Sequence, residues 1–149
     1  MNDLIIIRVN GGLGNQLFQI GNAYNLSLKF DRKLLICNKN QTNRGTYWNN
    51  IFSCFKDNLI DITEYTRLKS MARLYNWAST RFEYKEINLN KDVNVYCIEG
   101  YYQSYKYIDI TTFKQKINYD NLLSKMKNKI IEPNAVSYTH LRAHETVRN

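Results

Sequence analysis

A strand-sized apolar run, Leu4-Ile5-Ile6-Ile7-Arg8-Val9, breaks at Asn10 into Gly11-Gly12-Leu13-Gly14-Asn15-Gln16, and a helix-periodic stretch follows. Few folds accept that succession. A β-branched run closed by glycine reads as a buried strand. Leu17, Ile20, Tyr24 and Leu28 then recur at helical spacing and are expected to form the apolar face of a helix from Gln16 to about Phe30. Strand, glycine turn and helix together aim unpaired backbone N–H groups and the positive end of a helix dipole at one point. Glycine adopts positive φ there and lets a ligand approach the backbone. Gly11, Gly12, Gly14, Asn15 and Gln16 are therefore candidate donor-phosphate or cleft residues, with simple chain reversal as the plain alternative.

Two known phosphate loops do not fit. No Lys-Ser/Thr follows the glycines, as a Walker loop needs. A dinucleotide fingerprint starting at Gly12 meets Leu17 where its third glycine should stand. Such a fingerprint also wants an acid after the second strand, and Leu34-Leu35-Ile36-Cys37 runs instead into Asn38-Lys39-Asn40. Asp31-Arg32-Lys33 makes the return between helix and second strand. The resulting β-α-β unit predicts an α/β fold with a Rossmann-like parallel sheet flanked by helices.

Further along, Asn38 to Asn50 is a long polar loop in which Arg44, Tyr47 and Trp48 could reach a sugar, or Trp48 could simply pin the loop to the core. A short strand is expected near Leu59–Ile62. A helix capped by Asp61 or Thr63 follows to about Ser79, with Tyr65, Leu68, Ala72 and Tyr75 on one face and Arg67, Lys69, Arg73 and Arg81 on its wet side. Asn94-Val95-Tyr96-Cys97-Ile98 reads as another strand, broken by Gly100. After it come Tyr101, Tyr102, Gln103, Ser104, Tyr105, Lys106 and Tyr107. Tyrosine offers apolar area with a hydroxyl handle, which suits a sugar. Lys106 could add a charge toward a phosphate, while Tyr105 and Tyr107 are expected to pack on the next helix. Thr111 or Thr112 should cap that last helix, anchored by Phe113, Ile117, Leu122 and Leu123 and closed by Pro133.

Gly11-Gly12-Leu13-Gly14-Asn15-Gln16-Leu17-Phe18-Gln19 resembles the N-terminal motif of bacterial α-1,2-fucosyltransferases, glycosyltransferase family 11. Glu99-Gly100-Tyr101-Tyr102-Gln103-Ser104-Tyr105-Lys106-Tyr107 is similar to a second element of that family. The two stand in the family's order, and the resemblance runs from about Ile5 to about Leu123. It implies the N-terminal half of a GT-B-type enzyme that is metal-independent and inverting. Such an enzyme moves fucose from GDP-fucose to the 2-hydroxyl of a galactose-terminated glycan, with no cofactor beyond the sugar-nucleotide donor. Tyr101, Tyr102 and Gln103 then become the acceptor or sugar-binding residues, facing the same crevice as the glycine loop. Gln16, Gln103 and Tyr102 would orient sugar hydroxyls. No residue declares itself as a general base, and Glu99, beside Gly100, reads more as structure than as chemistry.

The last residues have another character. Val136 through Glu145, ten residues, spell one reading frame of a transposase-type sequencing adapter. The native frame is therefore expected to end near Asn134, making 1–134 the Rossmann-like acceptor-side domain and 135–149 a non-native tail. The two histidines, His140 and His144, fall in that tail, so their i, i+4 spacing implies no metal site. The family's His-x-Arg-Arg-x-Asp donor motif has no counterpart, since the chain contains no Arg-Arg pair. The catalytic residues are expected in a missing second half, and the chain alone is expected to be inactive.

Composition narrows the setting. The chain has 149 residues and a net charge of +8, and 44% of its residues are hydrophobic. Its mean hydropathy is −0.53, in the range of packed domains rather than disordered chains. Cys37, Cys54 and Cys97 are odd in number and widely spaced, as reduced thiols are. No apolar run approaches the ~20 residues of a spanning helix. A cytoplasmic protein is expected, with at most peripheral contact with the membrane face. Its basic charge suits a phosphorylated ligand. The alternative reading is a basic module for RNA or single-stranded nucleic acid, although its basic residues are dispersed.

Overall fold

The computed structural model describes residues 3–76 and 82–130, with side chains up to residue 127. Five strands form one all-parallel sheet: β1 (Leu4–Arg8), β2 (Lys33–Cys37), β3 (Leu59–Ile60), β4 (Arg73–Asn76) and β5 (Val95–Glu99). Their order is β3-β2-β1-β5-β4, a Rossmann-like arrangement flanked by helices. β1 lies at the centre, with Ile5 opposite Leu34 on one side and Tyr96 on the other. Strands buried on both faces read as continuous apolar runs, which is why β1 shows no alternation.

Each face of β1 has its own helix. Ile5 and Ile7 pack with Ile20, Ala23 and Leu26 of α1 (Leu13–Lys29), together with Phe52, Phe55 and Phe113. Leu4 and Ile6 pack with Tyr65 and Leu68 of α2 (Ile62–Met71). The buried face of α1 differs from the expected one: Leu28 is 54% exposed, whereas Gln16, Gln19 and Asn22 are buried beside Ile20. Gln16 and Gln19 occupy core positions there because they hold the loop that precedes the helix.

Three boundaries also differ. α2 stops at Met71 rather than near Ser79, and Arg73–Asn76 pairs with β5 as an edge strand. Tertiary pairing there overrides helical spacing, because Ala72 turns extended and carries Tyr75 onto the sheet. The Thr111 or Thr112 cap is really Asp109, whose carboxylate accepts the Thr112 N–H at the start of α3 (Ile110–Lys116). The single last helix is two, because Asn118 at φ +53° separates α3 from α4 (Tyr119–Ile130). Pro133, Arg81 and the segment 135–149 lie outside the described residues. Among those described, no helix is long and apolar enough to cross a membrane.

At the amino end of the sheet Arg32 is buried without any described carboxylate partner. Its guanidinium donates to the carbonyls of Asn90 and Asn94 and lies 5.0 Å from the centre of the Tyr96 ring. This residue, expected only to turn the chain, ties the segment before β5 to the end of α1.

Candidate functional site

Most of the candidate residues gather beyond the carboxyl ends of the strands, where parallel α/β sheets bind ligands. β1 delivers the chain to Gly11, whose φ of +92° suits glycine and strains other residues. The turn is then knotted by amides. Asn40 Nδ2 donates to the Gly11 carbonyl at 2.8 Å, while its Oδ1 accepts the Gly11 and Thr42 N–H groups. Gln16 Nε2 donates to the carbonyls of both Gly11 and Gly45. Gln19 exchanges two bonds with the backbone of Asn10. The first helical bond runs from Gln16 N–H to the Gly12 carbonyl, so Leu13, Gly14 and Asn15 have N–H groups without an intrahelical acceptor.

The two motif segments meet. Gln103 Nε2 donates to Asn15 Oδ1 at 2.5 Å, joining the loop after β5 to the first turn of α1. Beside this junction lies a cavity of about 300 Å³, formed at the ends of β1, β4 and β5. Arg8, Gln41, Asn76, Glu99 and Tyr101 line it, with Asn10 and Gln19 behind. It is a cavity of planar amides, one cation, one carboxylate and an aromatic face. Glu99 is ion-paired at 2.5 Å with Lys69 from the last turn of α2, and this hydrogen bond raises the lysine pKa above its ordinary value. Arg8 donates to the carbonyls of Lys39 and Asn40, which fixes its guanidinium at the cavity wall.

Several expected residues take other places. Gln16 is fully buried and holds backbone, so it does not reach a sugar hydroxyl. Tyr102 sits at φ +51° with its ring 3% exposed, and its hydroxyl donates to the Glu99 carbonyl at 2.6 Å. It lines the cavity as a support for Glu99 rather than as a sugar-orienting hydroxyl. Lys106 lies over the Tyr84 ring beside Asn22 and Asn25, away from the cavity. Tyr107 packs in the core as expected, whereas Tyr105 is 70% exposed because the short 3-10 turn Tyr105–Tyr107 points it outward. Gly11, Gly12, Gly14 and Asn15 border the cavity without lining it. Trp48 pins the polar loop, buried with its indole N–H on the Asn38 carbonyl.

Arg8, Gln41 and Asn76 are not among the residues the sequence singles out, and Glu99 reads there as structure rather than chemistry. Arg8 and Glu99 are the last residues of β1 and β5, so strand register is the signal that points to them. Asn76 is hidden because residues 73–76 also fit the helical spacing of the segment before them. Among the described residues no three His, Cys, Asp or Glu side chains converge as a metal site would need. Comparison with protein-family models, curated proteins and solved structures finds no match to this chain.

Proposed function

We propose that this chain is the acceptor-side half of a sugar-nucleotide-dependent glycosyltransferase of the α-1,2-fucosyltransferase type. The observation that carries the reading is the junction of Gln103 with Asn15 beside a polar cavity at the strand ends. Sugars are recognised by amides and carboxylates that exchange directional bonds with hydroxyls and by aromatic faces against their C–H surfaces. Glu99, Asn76 and Gln41 supply the first kind of contact and Tyr101 the second. Tyr102 and Lys69 position Glu99, and Asn15 positions Gln103.

In the intact enzyme a galactoside 2-hydroxyl held here would displace GDP in line from the anomeric carbon of fucose. Charge then grows on the departing phosphate, where oriented N–H groups stabilise it. The turn at Gly12 and Gly14 offers such donors, and the arginines completing the set belong to the half this chain does not carry. The chain alone binds the acceptor and transfers nothing.

Titration of the full chain with methyl β-galactoside, followed by amide chemical shifts, tests the reading. Shifts should cluster at Asn76, Glu99 and Tyr101, and Glu99→Gln should weaken binding by about tenfold, the loss expected for a charge-assisted bond. Binding that is absent, or indifferent to Glu99→Gln and Asn76→Ala, would sink it. Turnover of GDP-fucose with a β-galactoside by the purified chain would refute the inactive-half part alone.

A further inference from the structure

A second concavity opens on the other side of the Asn40–Gly11 knot, beyond the ends of β2 and β3. Its volume is about 570 Å³, inside the ~300–1,000 Å³ range of small-molecule pockets. Its character is opposite to that of the first cavity. Lys39, Arg44 and Lys56 line it, and no carboxylate does. None of the three cations forms an ion pair with a described acid. Arg44 also reaches toward the glycine turn, its Nη1 lying 3.7 Å from the point where a Cβ on Gly12 would stand. Thr42, Asn43, Thr46 and Asn49 add hydroxyl and amide groups to the lining.

These features select a ligand chemistry. Three uncompensated cations in one concavity raise the local concentration of an anion. Side-chain hydroxyls and amides exchange directional bonds with ligand hydroxyls. A molecule bearing both is a phosphate ester with free hydroxyls. The loop that carries Arg44 is set in advance by Asn40, Gln16 and Trp48, so its backbone needs little ordering on binding. The cations converge on a pocket of small-molecule size rather than along a stripe, which argues against a polynucleotide track.

We propose that this basic pocket binds a phosphorylated sugar through Arg44, Lys39 and Lys56, with Asn43 and Asn49 bonding its hydroxyls. This site does not depend on what the first cavity binds. The test titrates the full chain separately with galactose 1-phosphate, inorganic phosphate, methyl β-galactoside and a short oligouridylate, reading backbone amide shifts and calorimetry. Galactose 1-phosphate should shift Asn43, Arg44 and Lys56 and should bind more tightly than inorganic phosphate. The neutral galactoside should leave those three unmoved, whether or not it shifts Asn76 and Tyr101.

The double variant Arg44→Gln, Lys56→Gln alters exposed side chains only, so it should unfold as the parent does. It should lose about tenfold or more in affinity for galactose 1-phosphate. Replacing both Asn43 and Asn49 with alanine should erase the preference over inorganic phosphate. Equal binding of sugar phosphate and inorganic phosphate by the parent would reduce the site to a simple anion patch and overturn the proposal. So would unchanged affinity in the double variant, or tighter binding of oligouridylate at the same residues.

Discussion

Gly11 and Gly14 are three residues apart in one glycine-rich turn, and replacing each with alanine should move stability in opposite directions. At Gly11 the backbone stands at φ +92°, and a Cβ would lie 2.6 Å from Asn15 Nδ2. The left-handed backbone costs an L-residue about 1–2 kcal/mol. The Asn15 side chain must also swing away, and its bond from Gln103 is lost for about 1 kcal/mol more. Gly11→Ala should therefore lose about 2–3 kcal/mol. At Gly14 a Cβ would meet nothing within 4 Å. Alanine there lowers the conformational entropy of the unfolded chain, so Gly14→Ala should gain about 0.5–1 kcal/mol. Urea unfolding read by far-ultraviolet circular dichroism measures both. With a slope of about 2 kcal/mol/M, the Gly11 midpoint should fall by ~1–1.5 M and the Gly14 midpoint rise by ~0.25–0.5 M. Equal midpoints for Gly11→Ala and the parent, or a loss of stability in Gly14→Ala, would refute the assignment of strain to the first glycine and open space to the second.

A third glycine behaves differently again: a Cβ on Gly21 would press within 2.8 Å of Ile108 Cδ1, so Gly21→Ala should lose about 1–2 kcal/mol by overpacking. Combining it with Ile108→Ala should show favourable coupling in a double-mutant cycle. Arg32→Met should cost about 3 kcal/mol, lowering the urea midpoint by ~1.5 M, because two carbonyls lose a charged donor. Arg32→Lys should recover only part of that, since an ammonium does not match the planar fork. Stability should also fall above about pH 9. Burial pushes the Cys97 thiol above its ordinary 9.0 and the Tyr65 hydroxyl above its ordinary 10.0. Both are therefore neutral in the folded chain after the unfolded chain has ionised. Their contribution is intact below the unfolded values and is lost as pH rises through them, by about 1.4 kcal/mol per pH unit for each group. The double variant Cys97→Ala, Tyr65→Phe should show a shallower alkaline loss of urea midpoint, and an unchanged slope would count against the burial argument.

What the sequence discloses and what it conceals divide along a physical line. β1, β2 and β5 are legible because strands buried on both faces must be apolar throughout, and the glycine turn is legible because few residues accept its backbone. β4 is concealed. Its four residues, Arg73-Leu74-Tyr75-Asn76, follow α2 after a single extended residue and are largely exposed. Only pairing with β5 makes them a strand, and no local pattern encodes a partner 23 residues away. The same reasoning covers the cavity wall. Arg8 and Glu99 become neighbours through sheet register, not through any motif.

Gln16 and Tyr102 carry this further, because both belong to segments that suggested sugar contact and both turn inward. A buried amide bridging Gly11 to Gly45 holds the turn after β1 against the polar loop, and a buried hydroxyl on the Glu99 carbonyl braces the end of β5. Recognition of a polar ligand needs its partners set before it arrives, since each side chain frozen on binding subtracts from affinity. The motif residues thus divide into supports and contacts. Gly11, Gln16 and Tyr102, carried within the motif segments, hold the shape, while Tyr101 and the strand-end side chains distant in sequence present the chemistry. Substituting a support should change stability and affinity together. Substituting Glu99 or Asn76 should change affinity alone, and this separation distinguishes a binding cavity from a mere gap in the packing.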